Sequence, residues 1–308
     1  MPAQSSETRS APRICVVGAS LIDLVSYVPR LPAVGETLHG SEFRTGFGGK
    51  GANQAAMAAK LGARVGIVTR VGRDTFGDSM LENFRELGID TTHVGVDESV
   101  SSGVAPIAVD PNGDNAIVIV TGANDRMTTA DVERARKAIA AADVLVCQLE
   151  IPRELTLGAL RIARETSTLA ILNPAPAAED LPREAFELAD VLCPNESEAA
   201  LILGRAVGAG EELAAARELR ALGARSVVLT LGDRGCAISG GGGECVIPAE
   251  PVTAVDTTGA GDAFVGTLAV GLARGEDLTT AATRANRVAA TSVRLPGTQS
   301  SFPSLDLA

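Results

Sequence analysis

Asp256-Thr257-Thr258-Gly259-Ala260-Gly261-Asp262 is the stretch that decides how this chain folds. It follows the apolar run Val252 to Val255, which predicts a strand. It opens a segment with Phe264, Val265, Leu268 and Leu272 on one side, which predicts a helix over about 260–274. Small residues let a ligand approach the backbone closely. A helix start offers unpaired N–H groups and a partial positive charge, which suits an anion. Asp is also favoured in the first turn of any helix, so a well-capped helix is the plainer alternative. An acid beside an anion site is costly unless it has work there, such as taking a proton, and that favours the functional reading.

The strand-then-helix order extends back along the chain. Helix 130–141 precedes strand Val144 to Leu149, and helix 153–165 precedes strand Leu169 to Asn173. Strand Val191 to Cys193 leads into helix 196–203, and helix 211–222 precedes strand Ser226 to Leu231. Strands near 236–247 and a last helix over 278–293 complete this part. Nearer the start, Ile14 to Val17 and Arg64 to Val71 read as strands, with helices over Gly51 to Leu61 and Phe76 to Leu87. Mostly apolar strands alternating with helices predict a parallel sheet covered on both faces. Val104 to Val109 and Ala116 to Val120 break that order: Pro111-Asn112-Gly113-Asp114 between them is a hairpin signal. That hairpin is expected to join residues 23–45 in a small separate sheet.

Composition removes several function classes. The 308 residues are 45% hydrophobic and 21% charged, which is ordinary for a folded protein. Lys plus Arg is 27 and Asp plus Glu is 38, giving −11, so nucleic acid and anionic membranes are poor partners. Seven Phe, one Tyr and no Trp leave little for stacking on single-stranded bases. The cysteines Cys15, Cys147, Cys193, Cys236 and Cys245 are far apart, which predicts buried free thiols in a reducing cytosol. His39 and His93 are the only histidines, so a His-rich metal site is excluded. No apolar run reaches the ~18 residues of a membrane helix. Residues 1–12 carry no apolar leader and are expected to be a flexible tail, with 13–308 a single domain.

Gly46-Phe47-Gly48-Gly49-Lys50-Gly51-Ala52-Asn53-Gln54 formally contains G-x-G-x-x-G. No clear strand is predicted before it and no acid lies ~20 residues on to hold a ribose, so a dinucleotide site is disfavoured. The spacing fails a Walker A loop, and the other protein-kinase signatures are missing. What remains is a turn presenting Lys50 and Asn53 to a polyhydroxylated ligand. Asp23, Glu150 and Asn195-Glu196-Ser197-Glu198 follow predicted strands, where open α/β sheets bind ligands. Each taken singly is as well read as a cap or a solvated loop. Thr230-Leu231-Gly232-Asp233-Arg234-Gly235 is the same kind of site and suits phosphates.

Together these segments resemble the ribokinases within the phosphofructokinase-B-type carbohydrate kinases. Gly46–Gln54, with Val71-Gly72-Arg73-Asp74-Thr75-Phe76-Gly77, is similar to the family's first signature, and Asp256–Asp262 to its second. Gln148-Leu149-Glu150, Asn173-Pro174-Ala175-Pro176, Asn195–Glu198 and Gly297-Thr298-Gln299-Ser300 fit in the right order. The resemblance implies a three-layer α/β/α ribokinase-like fold with a mostly parallel central sheet. It also implies a small β-sheet lid built from about 23–45 and 100–120, which pairs with a second copy as a homodimer.

The implied activity is ATP-dependent phosphorylation of D-ribose at its 5-hydroxyl by a cytoplasmic enzyme. Asp262 would be the base, with the amides of Gly259, Ala260 and Gly261 as the anion hole. Asp23, Gly49, Lys50, Gly51, Asn53, Glu150, Asp256 and Asp262 match sugar-side positions. Asn195, Thr230, Gly232, Gly235, Gly261 and Asn286 match nucleotide-side positions. Glu198 matches the acid that organises Mg²⁺ through water. Asp256, Thr258, Ser292, Leu295, Gly297 and Ser301 match the positions around an activating K⁺. Bacterial members often carry Asn where this chain has Leu21, and Leu cannot hydrogen-bond a hydroxyl. Kinases of 2-deoxyribose or fructose therefore stay open. A sugar sensor without chemistry would call for an altered Asp262, which is not the case.

Overall fold

The computed structural model describes residues 11–178 and 180–304; the expected tail at 1–12 lies outside them except for its last two residues. The chain runs β1 (Arg13–Val17), β2 (Leu21–Tyr27), β3 (Glu42–Gly48), α1 (Lys50–Lys60), β4 (Arg64–Gly72), α2 (Thr75–Glu86) and β5 (Val94–Asp97). It continues through β6 (Gly103–Val109), β7 (Asn115–Ile117), a 3₁₀ turn at Gly122–Arg126, α3 (Thr129–Arg134), α4 (Arg136–Ala141) and β8 (Val144–Cys147). Then come α5 (Arg153–Thr166), β9 (Leu169–Leu172), α6 (Arg183–Leu188), β10 (Val191–Leu192), α7 (Glu196–Leu203), α8 (Glu212–Ala221) and β11 (Ser226–Thr230). The last elements are β12 (Cys236–Gly240), β13 (Gly243–Ile247), α9 (Ala260–Ala273) and α10 (Leu278–Ser292).

The large sheet has the order β13-β12-β11-β10-β9-β8-β1-β4-β5. It is parallel from β11 to β5, and β12 and β13 close one edge antiparallel. Side chains alternate between its two faces. Ile14, Val16, Val144, Val146 and Ile171 go into one core with α1, α2, α9 and α10. Cys15, Val17, Leu145, Cys147 and Leu172 go into the other with α3 to α8. Three layers result, as expected. The order steps outward in both directions from β1 and β8, so a crevice opens at their carboxyl ends, the place where such sheets take ligands.

A second sheet, β3-β2-β6-β7, stands apart. The Asn-Gly hairpin forms as expected: the Asp110 carboxylate accepts the amides of Asn112 (2.8 Å) and Asp114 (3.0 Å), and β7 runs antiparallel to β6. Four local expectations need correction. Residues 252–255 form no strand; Val255 is 65% exposed and its amide bonds the Val293 carbonyl instead of a sheet neighbour. A strand, β3, does run into Gly49; its Arg44, Gly46 and Gly48 lack the apolar signal that marks a strand in sequence. Helix 130–141 is two short helices meeting at Ala135. The strand expected to Leu149 stops at Cys147, where the chain turns out of the sheet and Leu149 N–H bonds the Ala175 carbonyl.

Candidate active site

Two helices begin at this crevice with glycine and without a side-chain cap. Gly49 precedes α1 with φ 85°, and Gly259 precedes α9 with φ 78°. Neither position suits another residue: a Cβ on Gly49 would lie 2.8 Å from the Ala19 carbonyl, and one on Gly259 would lie 2.5 Å from Thr298 Cγ2. Gly51, the second residue of α1, packs so closely that a Cβ would lie 2.7 Å from the Gly18 backbone. The close approach brings Lys50, Asn53 and Gln54 to the end of β1.

Asp262 sits in the first turn of α9 and is 6% exposed. Asn53 Nδ2 donates to its Oδ2 (2.9 Å) and Gln54 Nε2 to its Oδ1 (2.9 Å). Each carboxylate oxygen keeps a lone pair for a further donor. Ala260 N–H turns back to the Thr257 carbonyl at 3.2 Å, so the amides of Gly261 and Asp262 form the open N-terminus of the helix.

The sugar-side residues gather around the same point. Lys50 N–H donates to Glu150 Oε2 at 2.7 Å. Asp23, on β2, lies against Gly46 and Gly48, and a Cβ on Gly48 would fall 2.2 Å from its Oδ1. Burial, then the charges of Glu150 and Asp262, push the Asp23 carboxyl up to about 7. Burial likewise raises Glu150, against the pull of Lys50. Burial lowers the Lys50 ammonium, but the charges of Asp262, Glu150 and Glu198 outweigh it and leave it raised. Several acids thus share one ammonium in a half-closed space, which suits a ligand rich in hydroxyl donors.

On the other side, Asn195 caps α7 in a reciprocal box with Glu198: Asn195 Oδ1 accepts Glu198 N–H and Glu198 Oε2 accepts Asn195 N–H, each at 2.8 Å. Burial raises the Glu198 carboxyl. Asn195 bridges to Thr230 at the end of β11. Gly232 and Gly235 follow with positive φ, and Gly235 abuts the Ile247 carbonyl, to which Asn286 donates at 3.3 Å. Asp256 joins its own turn to one other segment: its carboxylate accepts Thr258 N–H and Gly297 N–H, both at 2.9 Å, so residues 255–258 lie on 293–301. No bond ties Asp256 to the sugar-side group among the described residues. Ser292 and Ser301 are buried next to this seam, and the Leu295 side chain is 56% exposed.

Four residues quoted in the motifs, but given no role from sequence, complete the centre. Gln54, Gln148, Asn173 and Gln299 are all buried. Gln299 Nε2 donates to Asn53 Oδ1 (3.0 Å), and its own Oε1 accepts from Asn83. The available signal was two adjacent amides in an otherwise alanine-rich helix.

The family model for pfkB family carbohydrate kinases matches residues 11–305. A ribokinase of Mus musculus is 44% identical over 98% of this chain and 95% of its own length. A deoxyribokinase of Salmonella typhi is 39% identical over 95% of this chain and 96% of its own. The solved structure of an Arabidopsis thaliana ribokinase complexed with ribose and ATP superposes with a TM-score of 0.87 at 29% identity, covering 96% of this chain and 97% of that one. With glycine-started helices meeting over buried acids and this match along nearly its whole length, the chain belongs to the pfkB family of carbohydrate kinases.

Proposed function

We propose that the enzyme transfers the terminal phosphoryl group of ATP to the 5-hydroxyl of D-ribose, giving D-ribose 5-phosphate and ADP. The observation that carries this is the Asp262 carboxylate, held by two neutral amides at the open start of α9. Asp262 accepts the hydroxyl proton as the oxygen attacks the γ-phosphorus. The bond from that phosphorus to the β–γ bridging oxygen breaks, and ADP leaves. The amides at Gly259 and Gly261, with that of Ala260 once it leaves the Thr257 carbonyl, stabilise charge on the moving group, which is how phosphoryl transfer is mostly catalysed. Asp23, Gly49, Lys50, Gly51, Asn53, Glu150 and Asp256 serve the sugar. Asn195, Thr230, Gly232, Gly235, Gly261 and Asn286 serve the nucleotide. The β2-β3-β6-β7 sheet is the lid over the sugar.

Glu198 suits Mg²⁺ held through water: its carboxylate is buried at the crevice, with one oxygen fixed by Asn195. The ion would neutralise phosphate charge. Asp256, Thr258, Ser292, Leu295, Gly297 and Ser301 would supply a carboxylate, hydroxyls and main-chain carbonyls to K⁺, a reading supported by the Asp256 bonds to the Thr258 and Gly297 amides. Hard oxygen donors fit K⁺, which would set the charge and shape of the nearby anion hole. Phe43, Ile117, Val118, Ile119 and Val120 are exposed apolar residues on the small sheet or beside it, and support pairing with a second copy.

A second reading, a 2-deoxyribose kinase, is favoured by Leu21. It is 3% exposed on the same face of β2 as Asp23 and offers no hydrogen bond there. The deciding experiment is ADP release coupled to a detector, across ribose, 2-deoxyribose, fructose and adenosine, with K⁺ or Na⁺. The expected result is fastest turnover on ribose in K⁺. A preference for 2-deoxyribose would install the second reading, and equal rates in both salts would remove the monovalent site.

A further inference from the structure

Gln54 lies 1% exposed in α1 and uses its amide on three sides. Its Nε2 donates to Asp262 Oδ1 (2.9 Å) and to Asn173 Oδ1 (3.1 Å). Its Oε1 accepts Gln148 Nε2 at 2.5 Å. Each neighbour is itself pinned. Asn173 Nδ2 donates to the Cys193 carbonyl at 2.8 Å. Gln148 is wedged against Gly18, where a Cβ would fall 2.0 Å from Gln148 Oε1. That Oε1 is buried without a partner, so the Nε2 bond to Gln54 and the packing against Gly18 together fix which way Gln148 faces. With its oxygen held by Gln148, Gln54 has one orientation left, and that orientation aims a donor at Asp262.

We propose that Gln54, oriented by Gln148 and Asn173, is a positioning residue that keeps the Asp262 carboxylate aimed for proton abstraction. This rests on the phosphoryl-transfer reading above. A neutral amide suits the task because it donates a hydrogen bond without surrendering a proton at neutral pH. Nor does it add a positive charge that would weaken the base. The charged groups facing Asp262 are Asp23 from β2, Lys50 from α1, Glu150 from the loop after β8 and Glu198 from α7, and they are unchanged in the variants below.

The test is Gln54→Glu and Gln54→Met in the full chain. The Asp262 carboxyl is followed by ¹³C-aspartate NMR without substrates, assigned with Asp262→Asn, and kcat is measured against pH with ribose and ATP. Gln54→Glu places a second carboxyl within hydrogen-bond distance of Asp262, and the two cannot both ionise freely. The Asp262 midpoint and the acid limb of kcat should move up together by about one pH unit or more. Gln54→Met should lower kcat about tenfold or more with ribose KM within about threefold. A purely structural Gln54 would lower melting temperature and leave both pH readouts in place. An Asp262 midpoint within about 0.3 unit of the parent in folded Gln54→Glu overturns the proposal. If that variant does not fold, Gln148→Met decides. Loss of the orienting donor should raise the Asp262 midpoint, and an unmoved midpoint overturns the proposal. Absence of any sugar phosphorylation by the parent would sink the kinase reading alone, because the NMR midpoint still judges Gln54.

Discussion

The starts of α1 and α9 are built alike and used differently. Both begin after a left-handed glycine and lack a side-chain cap, whereas α2, α7 and α10 are capped by Asp74, Asn195 and Asp277. At α1 an internal acid, Glu150, takes the first amide. At α9 the acid in the first turn, Asp262, is turned to the amides of Asn53 and Gln54, and the helix start stays open. A helix N-terminus attracts negative charge in either case. The protein fills one with its own carboxylate and leaves the other open, where the proposed mechanism puts the charge of the transferring phosphoryl group.

The largest test of this contrast is Asp262→Asn. Turnover should fall by ~10²–10⁴, the range of general-base catalysis, while calorimetry still detects ribose binding. Near-parental turnover would take Asp262 out of its role. Gly259→Ala comes next: the positive φ and the 2.5 Å approach to Thr298 force the α9 start to shift. A loss in kcat of about 10²-fold is expected, comparable to losing one donor of an anion hole. Unchanged kcat would show that the start of α9 has no such task. Glu150→Ala should equalise the two helices by baring α1. Ribose KM should rise about tenfold, and inorganic sulfate should begin to compete with ribose. If sulfate stays indifferent, the Glu150 plug is not what separates the two starts.

The smallest effect is one of pH and stability. Asp23 ionises near 3.8 when unfolded and near 7 when folded. Between those values the folded protein holds a proton that the unfolded chain has lost, so Asp23 makes stability fall as pH rises from about 4 to about 7. Asp23→Asn removes the decline. In urea titrations the variant should match the parent near pH 4 and exceed it at pH 8. The gain should be on the order of 1–3 kcal/mol, discounted for partial exposure. A variant weaker than its parent at pH 8 would contradict the burial of that acid.

Much of the large sheet was legible because strands buried on both faces, such as Val144 to Cys147, are short unbroken apolar runs. The same logic misread Val252 to Val255, whose valines meet solvent and a helix end instead of a strand. It also passed over β3, where glycines make room for Asp23 and erase the apolar pattern. At the site, the two glycine-rich turns and Asp262 stood out because their residue types are unusual at helix starts. The amides of Gln54, Gln148, Asn173 and Gln299 come from four distant segments, and only the fold brings them together: Gln54 onto the Asp262 carboxylate, Gln148 and Asn173 onto Gln54, and Gln299 onto Asn53.

The most direct measurement is a crystal structure of the enzyme with ribose, ADP, Mg²⁺ and aluminium fluoride, which mimics the phosphoryl group in flight. The account predicts the fluoride at the start of α9, bonded to the Gly261 amide, with an Asp262 oxygen about 3 Å from the ribose 5-hydroxyl. Fluoride lodged at the start of α1 in place of Glu150, or an Asp262 carboxylate facing away from the sugar, would contradict it.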